Sequence, residues 1–190
     1  MSSPVLHLVA GPNGAGKSTF VARVLQPVTH LPVINADAIA ARQWPDATVE
    51  HAHAAAALAA TERRELMAQR ASFITETVFS HLSKMELVEQ ALARGYLAHL
   101  HVVMVPVDLS VRRVAERVRR GGHDVPEDKV RARHQRLWPL VAEAAAVSER
   151  ADFYDNSVAD RPFHRVAHYE RGKAVGPALW PGWAPIHLAR

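Results

Sequence analysis

Leu8-Val9-Ala10-Gly11-Pro12-Asn13-Gly14-Ala15-Gly16-Lys17-Ser18-Thr19-Phe20 is the stretch on which the reading of this chain turns. Within it, residues 11–18 fit the pattern G-x-x-x-x-G-K-[ST] without a mismatch. Each residue type has a physical reason to be there. Glycines let the backbone wrap tightly enough for its N–H groups to face phosphate oxygens. A helix that opens on such a loop adds its positive N-terminal end. Lys17 supplies a mobile charge for the β- and γ-phosphates, and the Ser18 hydroxyl suits a Mg²⁺ ion. The expected nucleotide-binding residues are therefore Gly11, Pro12, Asn13, Gly14, Ala15, Gly16, Lys17, Ser18 and Thr19, with ATP and Mg²⁺ as ligands and Ser18 on the metal.

The flanks agree with that reading. Residues 5–10 (VLHLVA) are short and apolar, as a buried parallel strand should be, and residues 17–25 read as the helix that follows. Working outward, residues 32–35 form a second short strand and the alanine-rich segment 49–71 a helix. Residues 73–75 form a third strand, 82–94 a helix closed by Gly95, and 97–105 a fourth strand. A helix over 111–120 stops at Gly121-Gly122. Pro126 restarts one, with Glu127 and Asp128 in its first turn, and a separate helix covers 140–150. Residues 151–154 and 165–169 are late strands around an Asp155-Asn156-Ser157 turn. Strands alternating with helices predict an α/β fold, a three-layer sandwich with a mostly parallel sheet covered on both faces. No repeat or linker divides the chain. We expect a single domain over 1–190, with a core at 5–157, a lid at 112–134 and an irregular surface tail at 172–190.

Composition narrows the classes. The 190 residues, 48% of them hydrophobic, can build a sizeable core. Cysteine is absent, which excludes a disulfide scaffold, a thiolate metal site and a cysteine nucleophile. No apolar run approaches the roughly 18–20 residues that span a bilayer, and the N-terminus lacks a charged leader, so a cytoplasmic protein with no membrane partner is expected. The net charge of +4 and a pI of about 9.8 fit nucleic acid or a nucleotide-phosphate site. The arginines concentrate at 112–136 without interleaved aromatics, which favours phosphates over nucleic acid.

Beyond the loop, Asp37 follows the second strand. Carboxyl ends of neighbouring parallel strands share one crevice, which would place Asp37 where an acceptor hydroxyl approaches the γ-phosphate. An N-cap for the next helix is the plainer role. Glu76 and Thr77 end the third strand on the same rim, either to hydrogen-bond a polyol or nucleotide or as a solvated strand end. Arg113, Arg117 and Arg120 fall on one helical face, and Arg131 and Arg133 lie beyond the Gly-Gly break. They could form a lid over a triphosphate or a solvated basic face. Asp108 could be an acid at the fourth strand's end or a helix cap. His51 and His53 do not share a helical face; His99 and His101 share a strand face but have no third ligand in view, so no metal site is expected from the histidines.

These motifs together resemble the zeta toxin family of bacterial toxin–antitoxin systems, in its short branch. LVAGPNGAGKST, INAD (34–37), ITETVFS (74–80), RVRRGGHDVPEDKVRARH (117–134) and FYDNS (153–157) stand in the family's order and cover residues 5–157. The resemblance implies a P-loop kinase that transfers the ATP γ-phosphate to a hydroxyl of a nucleotide-sugar such as UDP-N-acetylglucosamine, with an antitoxin protein as partner. It implies that Lys17 and Ser18 hold ATP and Mg²⁺ and that Asp37 is the base. Glu76, with Thr77 and Ser80, would meet the sugar nucleotide. Arg117, Arg120, Arg131 and Arg133 would supply the arginines on the transferring phosphoryl group. The family often has Thr where Val78 stands, and Arg or Ser-Gly where Ser80-His81 stands. The missing hydroxyl at 78 removes a donor that could discriminate the acceptor. Another acceptor (an antibiotic, a nucleotide or NAD) and a nucleic-acid-linked P-loop ATPase are the alternative readings.

Overall fold

The computed structural model describes residues 3–122 and 124–188. His123, part of the Gly-Gly-His element, lies outside the described residues. Strand β1 (Val5–Ala10) runs into the glycine loop. Helix α1 (Lys17–Phe20) continues through a π-helical turn (Val21–Leu25) into α2 (Gln26–Thr29). Strand β2 (Val33–Ile34), helices α3 (Ala36–Gln43) and α4 (Ala52–Ala68), strand β3 (Phe73–Thr77), helix α5 (Ser83–Ala93) and strand β4 (Leu97–Met104) follow. Then come α6 (Val107–Arg119), α7 (Glu127–Val147), β5 (Arg150–Asp155), β6 (His164–Glu170) and β7 (Lys173–Ala174).

The strands form one sheet in the order β2-β3-β1-β4-β5-β6-β7. The first five strands are mutually parallel, while β6 and β7 join antiparallel. This arrangement positions the site. The chain leaves β1 for the β2 edge, returns to β3 beside β1, then crosses to β4 on β1's other side. Strand order therefore reverses at β1, and in such sheets ligands bind outside the carboxyl ends of the strands at that reversal. The glycine loop begins there.

Both sheet faces are covered, which is why the strands read as apolar runs. On one side Leu6, Leu8, Leu100, Phe73 and Phe153 pack with Met67, Val88, Leu137 and Trp138 from the helices. On the other, Val9, Ile74, Val103 and Val105 pack with Phe20, Val21 and Leu25.

The structure corrects the sequence reading in three places. The break expected before residue 140 is absent: α7 is one helix with Pro139 inside it. Proline costs the helix one N–H, yet Leu137, Trp138, Val141 and Ala144 bury the helix's core face on both sides of it and hold it continuous. Helix α6 begins at Val107 rather than 111, so Asp108 lies in its first turn. The tail is not a loose surface segment throughout. It adds β7 to the sheet edge, lays Trp180 edge-on against Phe153 with centroids 5.2 Å apart, and buries Leu188. Among the described residues, no helix is long and apolar enough to cross a membrane.

Candidate functional site

The glycine loop closes because its backbone goes where side chains cannot. Gly11 has φ +149° and a Cβ there would stand 2.2 Å from the Val103 carbonyl oxygen; Gly16 has φ +92° and its Cβ would meet Asn156 Nδ2 at 2.8 Å. Lys17 folds back over the loop and donates from Nζ to the carbonyls of Gly11 and Pro12, each at 2.9 Å. Burial lowers the Lys17 pKa to about 8. Glu76 and Asp37 pull it back up, and Arg117 pushes it further down.

The loop is braced from behind. Ser110 Oγ donates to the Asn13 carbonyl. Arg113 donates to the Gly14 carbonyl at 3.4 Å and to the Asn156 carbonyl at 3.0 Å. Asn156 Nδ2 donates to the Ala15 carbonyl at 2.8 Å, while its Oδ1 accepts from the Phe163 N–H at 3.3 Å. Gly11, Pro12 and Ala15 are buried beneath the loop surface, whereas Asn13, Gly14, Gly16, Lys17, Ser18 and Thr19 line a cleft of about 580 Å³.

The facing rim comes from β2, α3 and β3. Ser18 Oγ donates to both carboxylate oxygens of Glu76, at 2.9 and 3.1 Å, and Asn35 Nδ2 donates to the same carboxylate. Asn35 also caps α3: its Oδ1 accepts from the Asp37 N–H at 2.8 Å and the Ala38 N–H at 3.4 Å. The capping role therefore falls to Asn35, and Asp37 stands in the first turn of α3, lining the cleft. Glu76, Thr77, Ser80, Arg117 and Arg133 line it too. Phe79, buried at φ +62°, turns the chain after β3 so that residues 76–81 curl around this rim.

Two expected arginines are placed elsewhere. Arg120 follows the last turn of α6 and pairs with Glu116, away from the cleft lining. Arg131 is held by Glu127 at 2.8 Å and Asp108 at 2.9 Å, outside the cleft. Asp108 is thereby an ion-pair partner in a helix's first turn, where a negative charge also suits the helix dipole. Four residues that sequence reasoning passed over belong to the site or its bracing: Asn35, Lys84, Ser110 and Asn156. An Asn two positions before Asp37, at the start of an apolar-periodic segment, carries a readable N-cap signal. Ser110 and Asn156 carry none, because their partners are carbonyls 97 and 141 residues away in the chain.

The residues present suit a Mg-nucleotide. The positive-φ glycine cradle leaves room for a phosphate chain that side chains would fill. The Ser18 hydroxyl beside the Glu76 carboxylate offers the hard oxygen donors that Mg²⁺ takes. Among the described residues no group of three or more His, Cys, Asp or Glu is placed to hold a metal ion.

Fold and loop together define a P-loop nucleotide-binding protein. The family model described as "AAA domain" matches residues 6–140, and the chain belongs to that family. A search of curated proteins gives no match. Among solved structures, the AvrRxo1-ORF1:AvrRxo1-ORF2 complex with sulphate ions is similar, with a TM-score of 0.72, 15% identity, and coverage of 91% of this chain and 60% of that chain. The PezAT chromosomal toxin–antitoxin system of Streptococcus pneumoniae gives 0.61 at 16% identity, covering 88% and 72%. Shikimate kinase from Acinetobacter baumannii gives 0.51 at 21% identity, covering 75% and 80%. At these identities the shared property is the fold, and this chain spans only 60% of the AvrRxo1 chain it matches. The fold is thus one that this chain shares with structures that include a toxin–antitoxin system.

Proposed function

We propose that the chain is an ATP- and Mg²⁺-dependent phosphotransferase of zeta-toxin type that moves the γ-phosphoryl group to a hydroxyl of a small acceptor, a nucleotide-sugar such as UDP-N-acetylglucosamine. The observation that carries the reading is one cleft lined by the P-loop Lys17 and Ser18, the carboxylates of Asp37 and Glu76, and the guanidinium-bearing Arg117 and Arg133. Lys17 leaves its two loop carbonyls to meet the β- and γ-phosphates. Ser18 and Glu76 would hold Mg²⁺, which when bound would neutralise phosphate charge.

Asp37 accepts the proton of the acceptor hydroxyl as its oxygen bonds to the γ-phosphorus. The bond from that phosphorus to the β,γ-bridging oxygen breaks, and ADP leaves. Lys17, Arg117 and Arg133 offset the charge spread over the transferring group. Thr77 and Ser80 offer hydroxyls to the acceptor. The toxin–antitoxin system among the similar structures supports an antitoxin protein as partner.

The test is a mass-spectrometric screen with ATP, Mg²⁺ and a pool of UDP-sugars, NAD, nucleosides and aminoglycosides, run beside Asp37→Asn. A metabolite heavier by one phosphoryl group, lost with the variant, is the expected result. ATP consumption with no phosphorylated small molecule would remove the small-acceptor reading.

A further inference from the structure

Outside the groups already used, the cleft continues into a recess of about 80 Å³ between α4, α5 and the end of β3. Ala36, Ala56, Glu76, Thr77 and Lys84 line both, so the two spaces are contiguous. The small side chains of Ala36, Ala56 and Ala59 keep the recess open. Two cations face it: Arg63 from α4 and Lys84 from α5. Both are half-buried, and neither side chain makes a hydrogen bond or ion pair among the described residues. The Glu76 carboxylate in the same wall is already engaged by Ser18 and Asn35. Burial lowers both pKa values, and Lys84 is lowered further by Arg63. Two like charges held together out of water are costly unless an anion sits between them. Arg113, Arg117 and Arg133 line the main cleft but not this recess; Lys84 stands where the two spaces join, and Arg63 faces the recess without lining the main cleft.

We propose that Arg63 and Lys84 form an anion subsite that takes a phosphate or diphosphate of the acceptor while its hydroxyl lies against Asp37. The subsite rests on the kinase reading for its purpose, and it assigns the phosphate-bearing part of the acceptor to Arg63 and Lys84. From the recess a groove of about 440 Å³ runs between α4 and α5, past Ala60 and Arg64, with room for the remainder of such a molecule.

The experiment is titration calorimetry on the full chain with Mg²⁺ and a saturating non-hydrolysable ATP analogue, so that the P-loop is filled. UDP, inorganic pyrophosphate and uridine are the probes, with wild type, Arg63→Gln, Lys84→Gln, the double variant and Arg63→Lys. UDP and pyrophosphate should bind the wild type and weaken by at least about tenfold in each Gln variant, more in the double, with Arg63→Lys partly retained. Arg63→Gln, which lies outside the nucleotide cleft, should leave the affinity for the ATP analogue and the melting temperature unchanged. UDP binding that is insensitive to the double substitution, or uridine binding as tightly as UDP, overturns the subsite while leaving the kinase reading standing. Failure of the ATP analogue to bind the wild type overturns the kinase reading instead, and UDP binding that still depends on Arg63 and Lys84 would then keep the subsite.

Discussion

The Ser18 hydroxyl donates to both oxygens of the Glu76 carboxylate, tying the phosphate loop to the end of β3 across 58 residues of sequence. A metal bound beside Ser18 meets that carboxylate at the same time. Glu76→Gln preserves shape but removes the negative charge. It should raise the Mg²⁺ concentration for half-maximal phosphoryl transfer by roughly 10–100-fold, with the melting temperature little changed. A magnesium titration of ATP turnover reads this directly, and an unaltered half-saturation point would take Glu76 away from the metal.

Lys17 gives the site a pH dependence. Its pKa lies near 8 because it is buried, so it is charged below that value and neutral above it. The charged form is the one that attracts triphosphate. ATP affinity should therefore be flat up to pH 7.5 and fall as pH rises through 8, approaching about tenfold per pH unit. Fluorescent-nucleotide titrations at constant ionic strength from pH 7 to 10 test it. Constant affinity over that range would mean that Lys17 keeps its proton.

The parts of this molecule that were legible in its sequence are those governed by local physics. The glycine loop has its full pattern and its strand–loop–helix context within 16 residues (5–20), so both its position and the β1 placement could be read. The parallel sheet followed from apolar runs alternating with helices. What escaped reading depends on distant partners. Pro139 reads as a helix break because the local rule is strong; Leu137, Trp138 and Val141 override it through a core that only the folded chain assembles. Arg131 and Arg133 look equivalent two residues apart, yet Asp108 and Glu127 claim one while the other reaches the cleft. His99 and His101 share a strand face in the sequence, but His7 is unrelated to them until the register pairs it with His99 and stacks His101 against it.

Asn156 is the brace that such reading cannot see. It makes three links near the loop: Nδ2 to the Ala15 carbonyl, Oδ1 from the Phe163 N–H, and its own carbonyl to Arg113. Asn156→Ala strands the buried Ala15 carbonyl and should destabilise the fold by about 1–3 kcal/mol. Because Gly16 lies against Asn156 Nδ2, the loop should also loosen. We expect weaker binding of ATP than of control ligands that avoid the loop, measured by calorimetry alongside a denaturant melt. Equal stability and equal nucleotide affinity would show that the loop holds itself.

The last prediction concerns the acid side of stability. His7 Nδ1 and His101 Nε2 lie 3.1 Å apart, and His101 is buried with its Nδ1 lacking a hydrogen-bond partner among the described residues. Burial first, then neighbouring charge, lowers the pKa to about 4 for His7 and about 3 for His101. The unfolded chain protonates both near 6.5. Between these values the unfolded state binds protons that the folded state refuses, so stability is full above pH 6.5 and falls as pH drops towards 4. Allowing for partial exposure of His7, the loss at pH 5 should be roughly 2–3 kcal/mol, a fall in Tm of about 5–10 °C. Carboxylates such as Asp152, held below their usual range, titrate lower still and do not enter this window. His99 and His134 are lowered by burial too and add to the same acid loss, so His101→Leu removes one of four titrations and should reduce the slope between pH 6.5 and 5 without abolishing it. Melting curves for both proteins across that range decide it: parallel curves would mean that the pair stays protonated through unfolding, or that another group sets the acid limit.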